Sequence, residues 1–176
     1  MQQSAIETFN RDRFPSQAQL EAVCDLFAKN LPVFDDLNPK ENAETIALRR
    51  TPDDYRRLLD SKTLLLACRT GDGVAGLLEW DPRDKDTVML AFITWLLVDP
   101  NARGQKLSTK LHTEFENVCV PQAIQEHQKT TFQALAVHLR NPALGIYRHW
   151  GYSEEGAPQY NDGRRLFMIK SAANSK

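Results

Sequence analysis

The sequence predicts an α/β domain in which a central sheet carries helices on both faces, and three observations lead there. Val88 to Val98 is apolar at both alternating sets of positions, the pattern of a strand covered on both sides. Pro100 stops that run. Beyond Gly104, Leu107, Leu111, Phe115 and Val118 recur at spacings of 4, 4 and 3, which suits a helix lying on the sheet. Two shorter apolar runs, Thr63 to Cys68 and Val74 to Trp80, flank Thr70-Gly71-Asp72-Gly73 and read as a hairpin. The order of helices, hairpin, strand, helix, strand, helix, strand is that of a mixed α/β architecture.

The elements follow in chain order. Ile6 and Phe9 sit in a short first strand. Ser16 with Gln19 forms a capping box, and Leu20, Val23, Cys24, Phe27 and Leu31 follow at helical spacing. Asn38-Pro39 opens a second, weaker helical stretch. Thr51-Pro52-Asp53-Asp54 repeats the start signal more strongly, with Tyr55, Leu58 and Leu59 on one face. Asp81 to Asp86 is polar, contains Pro82 and is expected to be a loop. Pro121 ends the helix after Gly104 or restarts it. Thr131 to Leu139 reads as a strand, Pro142 to Trp150 as a short helix and Leu166 to Lys170 as a closing strand. Tyr152 to Glu155 begins a further strand before the polar turn at Asn161-Asp162-Gly163.

Composition bounds the function classes. The length of 176 residues favours one domain, 1–176. With 41% hydrophobic and 26% charged residues, the chain is rich enough in apolar side chains for a core. A net charge of −1 supplies no long-range pull toward nucleic acid or an anionic membrane. The longest apolar stretch falls short of the roughly 20 residues of a membrane span, and no signal-peptide pattern opens the chain. Cys24, Cys68 and Cys119 lie far apart, as expected of reduced thiols in a cytoplasmic protein, and no zinc or calcium spacing occurs.

The most informative segment is Val98-Asp99-Pro100-Asn101-Ala102-Arg103-Gly104-Gln105-Lys106-Leu107-Ser108. A covered strand runs into a glycine-containing turn, and an amphipathic helix starts at once. The first N–H groups of that helix have no internal partners, and together with the helix dipole they suit a phosphate or pyrophosphate. Arg103 and Lys106 add cations where positive charge is otherwise mildly unfavourable, which an anionic ligand explains. A surface turn that is merely basic is the competing reading. No Gly-Lys-Ser/Thr ends the loop, so a P-loop is excluded.

Val98-Asp99-Pro100-x-x-Arg103-Gly104-Gln105 resembles the acetyl-CoA-binding signature of the GCN5-related N-acetyltransferase (GNAT) family. Downstream, Asn141-Pro142-Ala143 leading to Tyr147-Arg148-His149-Trp150-Gly151-Tyr152 resembles that family's Asn…Ala…Tyr-x-x-x-Gly-Phe/Tyr motif. Lys106 and Ser108 stand where the signature carries glycine and Gly/Ala, and Asn141 is one residue nearer Tyr147 than is usual. The resemblance implies a mixed, mostly antiparallel sheet. Its central strands, 88–98 and 131–139, would be a parallel pair that splays to admit acetyl-CoA. The cofactor-binding core would span about 63–170, with variable acceptor-side helices over about 16–62.

The implied activity is transfer of acetyl from acetyl-CoA, with no metal, to a primary amine of a small molecule or peptide in a ternary complex. Nucleic acid and membrane are not expected as partners, and a homodimer is a possible assembly. Backbone groups of Leu96, Leu97 and Val98 would bind the pantetheine arm, and Arg103, Gly104, Gln105, Lys106, Leu107 and Ser108 the diphosphate, with Asn141 a further cofactor contact. Tyr147 would be the general acid, its phenol of pKa near 10 protonating or hydrogen-bonding the thiolate. Glu79, near the end of a strand expected to border the acceptor cleft, is the first choice for the base, against a solvated strand-end carboxylate. His138 is the second candidate. Glu154 and Glu155 would attract a cationic amine or lie in a solvated loop, Cys119 reads as a packed thiol, and Arg49-Arg50 with Arg56-Arg57 as a solvated helix face. A catalytically weak acyl-CoA sensor is the alternative function.

Overall fold

The computed structural model describes residues 4–35, 48–69, 71–157 and 164–172. The helix expected at Asn38-Pro39, Thr70 of the first turn and the Asn161-Asp162-Gly163 turn lie outside them. The elements are β1 (Ala5–Phe9), α1 (Gln17–Asp35), α2 (Pro52–Leu58), β2 (Thr63–Cys68), β3 (Val74–Lys85) and β4 (Val88–Val98). A 3-10 turn (Pro100–Ala102), α3 (Leu107–Glu114), a π-helical turn (Phe115–Cys119) and α4 (Val120–His127) follow. β5 (Thr130–His138), α5 (Leu144–His149), β6 (Ser153–Glu154) and β7 (Arg165–Ser171) complete the chain. Seven strands form a mixed sheet in the order β1-β2-β3-β4-β5-β7-β6. The chain divides into two compact units: Met1–Trp80 with Trp95–Phe115, and Asp81–Thr94 with Glu116–Lys176.

In the first unit, β1 pairs antiparallel with β2 from Ala5–Cys68 to Phe9–Leu64, and β2 with β3 from Thr63–Trp80 onward. Ser16 and Gln19 close the capping box: each backbone N–H donates to the other's side-chain oxygen, at 2.8 and 3.1 Å. Thr51 and Asp54 do the same for α2, with Pro52 in its first turn. Leu20, Val23 and Phe27 of α1 and Tyr55 of α2 bury against Phe9, Leu64, Leu66 and Leu77 on one face of the sheet. Gly76, next to Leu77, points to the other face. A β-carbon there would lie 3.0 Å from Leu111 Cδ1 of α3 and 3.2 Å from the Leu97 carbonyl. Helices therefore cover both faces, and α3 seats directly on backbone. Gly76→Ala is expected to cost about 1–3 kcal/mol by overpacking. Urea denaturation checks this, and an unchanged midpoint would contradict the contact.

In the second unit, β4 pairs parallel with β5 from Val88–Thr130 to Ile93–Leu135, where the paired register ends. β5 pairs antiparallel with β7 from Phe132–Ser171 to His138–Arg165, and the two-residue β6 pairs with β7. Three expectations need correction. Asp81 to Lys85 is not a loop but continues β3. Thr94 Oγ1 donates to the Asp81 carboxylate at 2.8 Å, Arg83 Nε donates to the same carboxylate at 2.7 Å, and the Arg83 guanidinium lies 3.5 Å from the centre of the Phe92 ring. These contacts give the polar segment a reason to stay extended, and the φ of Pro82 is compatible with a strand.

Coverage of β4 is complete only over Ala91–Ile93; Thr94 to Leu96 are half-buried. Val118 is exposed rather than core. The π turn inserts an extra residue into the helical repeat just before Pro121, whose missing N–H cannot continue the ladder to the Asn117 carbonyl. The buried face passes from Phe115 to Cys119, Val120 and Ala123. Among the described residues no helix is long and apolar enough to cross a membrane.

Candidate functional site

Strand β4 ends in a built turn. The Asp99 carboxylate accepts the Asn101 N–H at 2.9 Å, its backbone N–H donates to the Ala75 carbonyl at 2.9 Å, and Pro100 starts the 3-10 turn. Lys29 and Arg69 hold the same buried carboxylate at 3.9 and 3.6 Å. Arg103 Nη2 reaches Asn30 Oδ1 at 3.4 Å, and Asn30 Nδ2 donates to the Leu26 carbonyl at 2.8 Å, so α1 tethers the turn.

Gly104 takes φ +81° with open space where a β-carbon would stand, and Lys106 takes φ 57°, ψ 26° immediately before α3. No side chain caps α3, and its first backbone bond runs from Lys110 N–H to the Lys106 carbonyl at 3.0 Å. The N–H groups of Leu107, Ser108 and Thr109 therefore have no intrahelical acceptor. Uncapped donors, the dipole of α3 and the exposed Arg103 and Lys106 give this helix end a positive potential, chemistry suited to an anionic group.

The left-handed conformation explains why the resembled signature carries glycine where this chain has Lys106. A side chain there costs about 1–2 kcal/mol, against about 0.4–1 kcal/mol for the greater unfolded-state freedom of glycine. Lys106→Gly is expected to raise stability by roughly 0.5–1 kcal/mol in chemical denaturation. A loss of stability would contradict the left-handed cap.

The second motif becomes a helix end. Gly151 N–H donates to the Arg148 carbonyl at 3.0 Å and Tyr152 N–H to the Tyr147 carbonyl at 3.1 Å, the paired bonds of a Schellman cap. Gly151 supplies φ +90°, and the Tyr147 and Tyr152 rings meet edge-on with centroids 6.2 Å apart. The spacing Tyr-x-x-x-Gly-Tyr is thus the spacing this cap requires. Tyr147 is buried to 8% exposure, and burial pushes its phenol up to about 12. Its hydroxyl has no hydrogen-bond partner among the described residues. The Tyr152 hydroxyl instead donates to Gln133 Oε1 at 2.9 Å. Asn141 Oδ1 accepts the Ala143 N–H at 2.8 Å, so this side chain shapes the start of α5.

The remaining candidates are placed differently from expectation. Glu79 lies inside β3 with 0% exposure, not solvated at a strand end. Both its oxygens are held by Arg49, Nη2 to Oε1 at 2.6 Å and Nε to Oε2 at 3.1 Å, with Lys62 Nζ 3.5 Å from Oε1. Arg49 is accordingly buried and leaves the expected solvated face. Arg56 and Arg57 remain exposed, paired with Asp53 and Asp54. The signal for the missed pair was a carboxylate within the apolar run Leu77-Leu78-Glu79-Trp80, which requires a buried cation. Cys119 is buried in the π turn, and Glu154 pairs with Arg148 on the surface. His138 is buried, and its pKa is lowered, first by burial and then by the charges of Arg140, Arg165 and Arg164. Leu96 to Ser108 and Glu79 thus belong to the first unit, and Asn141, Tyr147 and His138 to the second.

Residues 33–171 match the family model described as acetyltransferase (GNAT) domain. No curated protein matches the chain by sequence. Similar solved structures include the PaiA N-acetyltransferase of Thermoplasma acidophilum in complex with coenzyme A, at 17% identity and TM-score 0.66, covering 95% of this chain and 99% of that one. An aminoglycoside 6'-N-acetyltransferase complexed with coenzyme A is similar at 15% identity and TM-score 0.67, covering 98% and 99%. Ribosomal-protein-S5-alanine acetyltransferase from Vibrio fischeri is similar at 11% identity and TM-score 0.67, covering 100% and 97%. At these identities the likeness is one of fold.

Proposed function

Because this chain belongs to the acetyltransferase (GNAT) domain family, we propose that it transfers acetyl from acetyl-CoA to a primary amine of a small molecule or peptide, directly and within a ternary complex. The uncapped amino terminus of α3 behind a left-handed turn is the observation that carries this reading. Arg103, Gly104, Gln105, Lys106, Leu107 and Ser108 hold the diphosphate through backbone N–H groups and two cations. Backbone groups of Leu96, Leu97 and Val98 orient the pantetheine arm. Acetyl-CoA supplies an acetyl group activated as a thioester.

Tyr147 donates a hydrogen bond to the departing sulfur. With its phenol at about 12 and an ordinary thiol near 8.5, full proton transfer to the thiolate is uphill, so its contribution is the hydrogen bond. Asn141 acts by starting α5. Glu79 holds Arg49 with both oxygens and is buried, so the ammonium proton of the acceptor leaves to water in this scheme. The whole of 1–176 is read as one catalytic domain in a cytoplasmic setting.

The test is release of free thiol from acetyl-CoA across a panel of polyamines, aminoglycosides, amino acids and peptide amino termini. Release that depends on amine supports the transferase. Stabilisation by coenzyme A with no amine-dependent release replaces it with an acyl-CoA sensor.

A further inference from the structure

Within the second unit, the end of α5 that carries Tyr147 is docked on the sheet by a chain of polar side chains. Gln133 of β5 and Lys170 of β7 are register partners, so their side chains stand side by side on one face. Tyr152, the residue after the cap glycine, donates its hydroxyl proton to Gln133 Oε1 at 2.9 Å. Gln133 Nε2 donates to Glu116 Oε1 of the π turn at 3.1 Å, and Lys170 Nζ pairs with the same oxygen. The Lys170 ammonium also lies 5.9 Å from the centre of the Tyr152 ring. A β-carbon at Gly151 would stand 3.7 Å from Lys170 Cε, so the cap itself lies over the lysine stem. Tyr152 and Gln133 are buried, and a hydrogen-bonded network at that depth rigidifies what it holds.

The direction of each bond in the chain is fixed. A carboxylate only accepts, so the Gln133 amide turns its nitrogen to Glu116 and its oxygen to Tyr152. The Tyr152 ring is thereby held at its hydroxyl by Gln133 and at its backbone by the bond to the Tyr147 carbonyl at 3.1 Å. The Tyr147 hydroxyl has no hydrogen-bond partner among the described residues, so its ring is oriented by packing, with ring contacts to Tyr152 at 6.2 Å and Trp150 at 5.8 Å. We propose that Gln133 is a positioning residue for Tyr147: with Glu116 and Lys170 behind it, Gln133 holds the Tyr152 hydroxyl and so sets the ring against which the Tyr147 phenol is aimed. The catalytic consequence rests on the acetyl-transfer reading; the docking of α5 does not.

The test uses the full chain with ¹³C-labelled tyrosine rings, the Tyr147 signal being assigned with Tyr147→Phe. Tyr152→Phe removes the hydroxyl and keeps the ring and the cap, while Gln133→Leu removes the acceptor. In both variants ¹³C relaxation is expected to show a loss of order in the Tyr147 ring. Thiol release from acetyl-CoA is then followed with spermidine, kanamycin, lysine and trialanine. With each amine that reacts, both variants should lower kcat about tenfold and leave KM for acetyl-CoA within about twofold. In a Tyr147→Phe background the same substitutions should cost less than about twofold, which a merely structural role would not produce. Should Gln133→Leu fail to fold, Tyr152→Phe carries both readouts. An unchanged Tyr147 ring, a kcat within about twofold of the native value, or an equal loss in the Tyr147→Phe background overturns the assignment. Thiol release with none of the four amines, beside a loosened Tyr147 ring, keeps the docking and overturns its link to acetyl transfer.

Discussion

Tyr147→Phe is expected to lower kcat for acetyl transfer about 100-fold while changing the dissociation constant of coenzyme A less than about twofold. A hydrogen bond from a neutral donor to a developing thiolate is worth roughly 1.5–3 kcal/mol, a factor of about 10 to 150. Phenylalanine keeps the ring that meets Trp150 and Tyr152 edge-on, with centroids 5.8 and 6.2 Å away, so the end of α5 should survive. The alkaline behaviour is a second readout of the same residue. Burial raises the Tyr147 phenol in the folded protein to about 12 from an ordinary 10. The folded state therefore holds the proton more tightly, and the associated stability is complete below pH 10 and declines as pH rises toward 12. Steady-state kinetics and denaturation between pH 9 and 11 check both, and an unchanged kcat in the variant removes Tyr147 from the mechanism.

Arg49→Leu is expected to destabilise the fold by about 3–5 kcal/mol, the largest effect on stability anticipated for this chain. Glu79 is fully buried, and the substitution removes the bidentate partner while Lys62, 3.5 Å away, remains the weaker contact. The Arg49 guanidinium also lies 5.8 Å from the Phe27 ring centre and 5.7 Å from that of Trp95, so apolar packing is available to a leucine. The double variant Arg49→Leu with Glu79→Leu should recover most of the loss, because the penalty arises from the orphaned carboxylate. Urea denaturation of the two variants decides the matter. A loss below about 1 kcal/mol for Arg49→Leu would contradict the buried pair.

Legibility in the sequence followed the range of the interactions. The Ser16–Gln19 and Thr51–Asp54 boxes span three residues, so their hydrogen bonds could be read from spacing alone. Val88–Val98 was legible because it is apolar at both alternating sets of positions. The turn after Asp99 and the Tyr147–Tyr152 cap were legible for the same local reason, as each is closed by backbone bonds of neighbouring residues.

Long-range partners were not legible. Glu79 and Arg49 are 30 residues apart, and neither announces the other. The continuation of β3 through Pro82 depends on Thr94 and Phe92, across the sheet from a segment whose own composition suggests a loop. The outward turn of Val118 required knowing that Pro121 is absorbed by a π turn instead of a break. His138 was visible only as a lone histidine, because its burial and the arginines that help to lower its pKa, Arg140, Arg165 and Arg164, come together only once β5 pairs with β7.

A crystal structure of the complex with coenzyme A would show whether the amino terminus of α3 holds the diphosphate. The diphosphate is expected within hydrogen-bond distance of the backbone N–H groups of Leu107, Ser108 and Thr109, with the Arg103 side chain beside it. Coenzyme A bound elsewhere, or the Lys106 amine folded over those N–H groups and excluding the diphosphate, would contradict it.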